Sequence, residues 1–93
     1  MFLLAPGPAT TAWGASPKQR AEAAVERAVK GKTVDGKRVT QAGATCRRLS
    51  GRRYTCTWNG MAIADGSLCD GAARATVYRR SVDVRLRDSR CDS

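Results

Sequence analysis

Cys46-Arg47-Arg48-Leu49-Ser50-Gly51-Arg52-Arg53-Tyr54-Thr55-Cys56 is the stretch whose reading decides the fold. It reads as a β-hairpin with Ser50-Gly51 at the tip and one cysteine on each arm. Cys46, Tyr54, Cys56 and Trp58 share parity. Same-parity side chains of a strand point to one face, so these four are expected on the buried side. Arg47, Arg53, Thr55 and Thr57 then fall on the other side.

Outward from the hairpin, the next question is how large a core the chain can build. The 93 residues allow one domain. A chain this short hides roughly 60–65% of its unfolded surface. Aromatic residues make up only 5% of it, and many of its apolar residues are alanines. Such a thin interior calls for covalent help. The four cysteines, at 46, 56, 69 and 91, supply it as two disulfides, which implies an oxidising compartment. A zinc site would need close cysteine pairs, and the chain has neither these nor a histidine. Three pairings are open. Cys46–Cys56 and Cys69–Cys91 are favoured, because each closes a hairpin whose turn lies near the midpoint. The second pair raises a parity conflict: Cys91 is odd-numbered, whereas Val82, Val84 and Leu86 are even. A bulge or a frayed end must resolve it.

Before the hairpin, Ser16 to Gly31 predicts a helix. Ser16 is an N-cap, Pro17 suits the first position, and Gln19 completes a capping box. Ala21, Ala24, Val25, Ala28 and Val29 form one apolar stripe, and Gly31 can end the helix in the left-handed conformation. Lys18, Glu22, Glu26 and Lys30 recur at i+4 on the polar side and are expected to pair. Residues 1–15 read as a signal-peptide remnant or a disordered tail: Phe2-Leu3-Leu4-Ala5 is a short apolar run, and Ala12-Trp13-Gly14 has a small-x-small pattern. Between helix and hairpin, Asp35-Gly36 suggests a tight turn and Gly43 a bulge.

After the hairpin, Asn59-Gly60 is a second turn signal, with Met61 to Ala64 as a short return strand. Asp65 to Gly71 then reads as a loop whose Asp and Gly residues are turn chemistry; it lacks the spacing and closing Glu of an EF-hand. Ala73 to Leu86 is a last hairpin turning near Arg79-Arg80-Ser81. The expected fold is α+β: one N-terminal helix packed on a three- to four-stranded antiparallel meander, with residues 16–93 as a single disulfide-stabilised domain.

One helix followed by such a meander, with Cys46, the Gly51 turn, Tyr54-Thr55-Cys56-Thr57-Trp58 and Val82-Asp83-Val84-Arg85-Leu86, resembles a group of small secreted actinobacterial domains of unknown function. The resemblance spans roughly residues 16–91; Arg47 stands where that group often carries a proline. It implies secretion or envelope attachment and no assigned activity.

The chain carries no histidine, P-loop, HExxH or GxSxG, and its only glutamates are Glu22 and Glu26. An enzyme is not expected, nor a cofactor or metal. The net charge of +9 draws polyanions, although arginine-, alanine- and glycine-rich composition is also what a GC-rich genome writes. The candidate anion-binding residues are Arg47, Arg53, Arg74, Arg85 and Arg87 on the outer sheet face, extended by Arg52, Arg79 and Arg80 in the turns. The expected role is a monomeric, non-enzymatic binding or structural module, secreted or at the cell envelope, with an anionic partner. A cystatin-like protein inhibitor presenting the Asn59–Gly71 loop is one alternative. Non-specific nucleic-acid binding is another; it would want stacking aromatics on the arginine face, where Tyr78 stands alone.

Overall fold

Ser16 starts the first element of the computed structural model, which describes residues 16–64 and 66–92. The signal-peptide reading falls on residues 1–15 and so lies outside the described residues. The Ser16 hydroxyl accepts from the Gln19 N–H at 3.1 Å, and the Gln19 side chain accepts from the Ser16 N–H at 3.0 Å. This capping box satisfies two donors that a helix start otherwise leaves orphaned. Helix α1 runs Pro17–Val29 and stops where Gly31 turns left-handed, at φ +88°. Ala21, Ala24, Val25 and Val29 are buried, as the stripe predicts, and Ala28 is partly so.

A small hairpin follows, β1 Thr33–Val34 and β2 Lys37–Arg38, turning through Asp35 and Gly36 at φ +50° and +77°. Strands β3 (Gln41–Ser50), β4 (Arg53–Ala62), β5 (Ser67–Val77) and β6 (Val82–Asp92) then form one antiparallel sheet in sequence order. Cys46 pairs with Cys56 across β3–β4, and Trp58 with Gly71 across β4–β5. The helix lies on one face of this sheet. Beneath it are Cys46, Tyr54, Cys56, Trp58, Cys69, Ala73, Ala75 and Val77, all buried. Trp58 is the largest of them, 1% exposed, and truncating such a residue costs about 3–5 kcal/mol.

Both disulfides form as favoured, Cys46–Cys56 and Cys69–Cys91. The parity conflict at Cys91 is resolved by a bulge. Asp70 pairs with Arg90 but Ala72 with Arg87, so Gly71 faces the two residues Asp88 and Ser89. Asp88 takes φ +51° there. The extra residue returns Cys91 to the helix face.

Three expectations are corrected. Asn59-Gly60 is no turn: β4 runs straight through it to Ala62, and the reversal comes between Ala62 and Ser67. Gly60 lies close under the start of β3; a Cβ would strike Gln41 O and lie 3.0 Å from Val39 Cγ1 just before that strand. Accordingly, Ser67 to Gly71 is strand rather than loop. Gly43 sits in regular pairing with Asn59, and the irregularity of β3 falls between Arg48 and Ser50 instead.

The third correction concerns the helix glutamates. Lys18 and Glu22 do pair, at 2.8 Å, but Glu26 turns away from Lys30. Glu22 Oε2 accepts from the Cys46 N–H at 2.8 Å and Glu26 Oε2 from the Ala44 N–H at 3.3 Å. These two N–H groups point off the open edge of β3. An i+4 step along a helix rises about 6 Å and an i+2 step along a strand about 6.8 Å, so two glutamates one turn apart match alternate edge donors. Partial burial pushes the Glu22 carboxyl upward, but the Lys18 and Cys46 hydrogen bonds and the Lys18 charge together outweigh it, leaving Glu22 below its ordinary range. The β6 edge is capped in the same way: the Cys91 N–H donates to Asp35 Oδ2 at 2.9 Å. A carboxylate thus blunts each sheet edge beside a disulfide, which guards against edge-to-edge pairing.

Candidate functional site

The helix covers one face of the sheet and leaves the other open. Every arginine singled out from the sequence, Arg47, Arg53, Arg74, Arg85 and Arg87, is exposed and lies on that open face. The register orders them. Arg47 stands opposite Thr55, Thr55 opposite Arg74, and Arg74 opposite Arg85, making one row across all four strands. The next row reads Thr45, Thr57, Ala72 and Arg87. On the other side lies Arg53, Thr76 and Asp83. Strands are about 4.8 Å apart and same-face residues about 6.8 Å apart along a strand. The arginines are therefore spread over a patch roughly 14 Å on a side.

Their electrostatics are unbalanced. Arg85 Nε lies 3.6 Å from Asp83 Oδ2, with both side chains largely in water. A pair this long and exposed contributes little. Among the described residues, the side chains of Arg47, Arg53, Arg74 and Arg87 have no hydrogen-bond or ion-pair partner. Over the backbone of the Cys46–Cys56 pair, Thr45, Arg47, Thr55 and Thr57 border a shallow hollow of about 290 Å³. Hydroxyls and a guanidinium at its rim can all donate to an anion.

The same face changes character toward the Cys69–Cys91 end. There Asp70 pairs with Arg90 at 3.2 Å, and Asp70, Asp92, Asn59, Gln41, Met61 and Leu68 border a wider hollow of about 590 Å³. The cationic half is thus confined to the end of the sheet nearer the two hairpin tips. Of the turn arginines expected to extend it, Arg80 is exposed in the last turn, whereas Arg52 and Arg79 line a hollow on the helix side. In the segment that an inhibitor would present, Asn59–Gly71, the described residues outside the strands are Ile63, Ala64 and Gly66.

Trp58 and Tyr54 are buried against the helix, 1% and 7% exposed, so the open face has no stacking platform from them. All four cysteines are in disulfides, leaving no thiol. No group of three metal-ligating side chains is found among the described residues. Among these residues, too, no helix is long and apolar enough to cross a membrane. No family model, curated protein or solved structure matches this chain.

Proposed function

We propose that this chain is a non-enzymatic binding module, secreted or held at the cell envelope, whose open arginine face takes an anionic polymer. The observation that carries this reading is Arg74 directly opposite Arg85, with Arg47 in the same row. Like charges facing across a strand pair destabilise the sheet. Among the described residues only the long, exposed Arg85–Asp83 pair engages them, and a repeating anion would relieve them. The two disulfides support an oxidising location. The absence of exposed Trp58 or Tyr54 rings favours a polymer bound through its charges over one bound through stacked bases.

The test is retention on immobilised poly(glycerol phosphate). Wild-type protein is retained at low salt and released as salt rises. If all five face arginines each displace a counterion, log affinity falls by roughly 3.5–4.5 per decade of salt. Arg53→Glu with Arg85→Glu abolishes retention. Unchanged retention of that double variant contradicts the proposal. A protein inhibitor would instead tolerate both changes.

A further inference from the structure

Four arginines from separate parts of the chain meet on the helix side of the sheet, at the end where both hairpins turn. Arg20 comes from the first turns of α1, Arg48 and Arg52 from the β3–β4 tip, and Arg79 from the β5–β6 tip. With Tyr54 and Tyr78 they line a hollow of about 530 Å³ that has no carboxylate in its wall. The two tips are joined by the Val77 N–H donating to Arg52 O at 2.9 Å.

The wall is also preorganised. Arg20 Nη2 donates to Tyr78 O at 2.8 Å and to Arg79 O at 3.3 Å. Arg48 Nε donates to Gly51 O at 3.0 Å. Each of these guanidiniums is anchored to a turn carbonyl through one nitrogen, and its remaining N–H groups are left for another acceptor. Arg52 and Arg79 have no side-chain partner among the described residues. Gathering four like charges around one concavity raises the energy of the empty site. A single carboxylate matches one guanidinium fork; a tetrahedral dianion can accept from several at once.

We infer that this hollow is a discrete binding site for a phosphate dianion, either free or as the terminal phosphate of a chain. It is separate from the open face, lying on the opposite side of the sheet, and it does not depend on the polymer reading.

Calorimetric titration with inorganic phosphate at fixed ionic strength tests it. Saturable binding with one site per chain is expected. Arg52→Gln with Arg79→Gln weakens it by about tenfold or more, since a charge-assisted hydrogen bond is lost at each position. Both side chains are exposed and make no hydrogen bond or ion pair among the described residues, and their removal relieves like-charge repulsion, so the variant does not lose melting temperature. Arg53→Glu with Arg85→Glu, the open-face variant, leaves phosphate affinity within about twofold, so the two readings fail independently. A glycerol phosphate oligomer with a terminal phosphate, titrated into the Arg53→Glu with Arg85→Glu variant so that the open face does not hold it, serves as the second ligand. Tighter binding of inorganic phosphate points to the free source, and tighter binding of the oligomer to a chain end. No saturable binding of either, no loss in the Arg52/Arg79 variant, or equal oligomer binding once its terminal phosphate is removed overturns the inference.

Discussion

Removing the disulfides one at a time gives unequal losses that can be worked out in advance. Cys46–Cys56 closes a loop with a separation of 10 residues and Cys69–Cys91 one of 22. In the chain-entropy account these loops contribute about 2.7 and about 3.4 kcal/mol. A domain of this size has a total stability of about 5–14 kcal/mol. The two links together therefore supply much of it, in keeping with a core whose buried aromatics are Trp58 and Tyr54. At about 4–8 °C per kcal/mol, Cys46→Ala with Cys56→Ala lowers Tm by roughly 10–20 °C. Cys69→Ala with Cys91→Ala lowers it by roughly 14–27 °C. The second loss is compounded because Cys91 sits beyond the bulge, where its N–H donates to Asp35 and its sulfur lies 3.3 Å from Val34 O. Losing that anchor releases both the end of β6 and the β1–β2 hairpin. Thermal unfolding followed by far-UV circular dichroism, with and without reductant, measures these shifts. Equal melting temperatures for oxidised and fully reduced protein would refute the reasoning.

Other perturbations separate the terms of the account. Arg74→Thr removes the like-charge pair with Arg85 and places a β-branched residue in a strand. It should stabilise the fold by about 0.5–1 kcal/mol at low salt, less at high salt, while weakening polymer retention; thermal melts at both salts check the sign. Glu22 has a folded-state pKa below its unfolded one, so its contribution is fully present above the unfolded value near 4.5 and is lost as pH falls through the lower folded value. Stability measured by denaturant titration should therefore fall in that acidic window, and Glu22→Gln should flatten the fall. Gly71→Ala puts a Cβ 2.7 Å from Trp58 Nε1 and 3.0 Å from Ser89 Cα. It should cost about 1–3 kcal/mol and shift the Trp58 emission to the red, read in a Trp13→Phe background.

Local chemistry made the helix and both main hairpins legible. The Ser16-Pro17-x-Gln19 start, the small apolar stripe and the alternation around Cys56 and Val84 each act within a few residues. Even the bulge was implied, because Cys91 could reach Cys69 only by changing parity. What stayed hidden depends on contacts between distant segments. Asn59-Gly60 carries a strong turn signature, yet Gly60 serves a close approach by the start of β3 that no local pattern announces. Glu22 and Glu26 look like helix surface pairs until the β3 edge supplies two N–H donors at matching spacing. The open-face arginines followed from parity alone. The helix-side arginines were not read: Arg48 shares parity with Cys46, a signal that could have placed it on the helix side, but its convergence with Arg20 and Arg79 arises only when both tips meet the helix start.

The most direct test of the arginine-face account is an NMR titration of isotope-labelled protein with poly(glycerol phosphate), following the Nε–Hε signals of the arginines. The account predicts progressive shifts at Arg47, Arg53, Arg74, Arg85 and Arg87, reversed by added salt. Signals from those five that stay fixed while the polymer binds, or shifts confined to the Asp70–Asp92 end of the sheet, would contradict it.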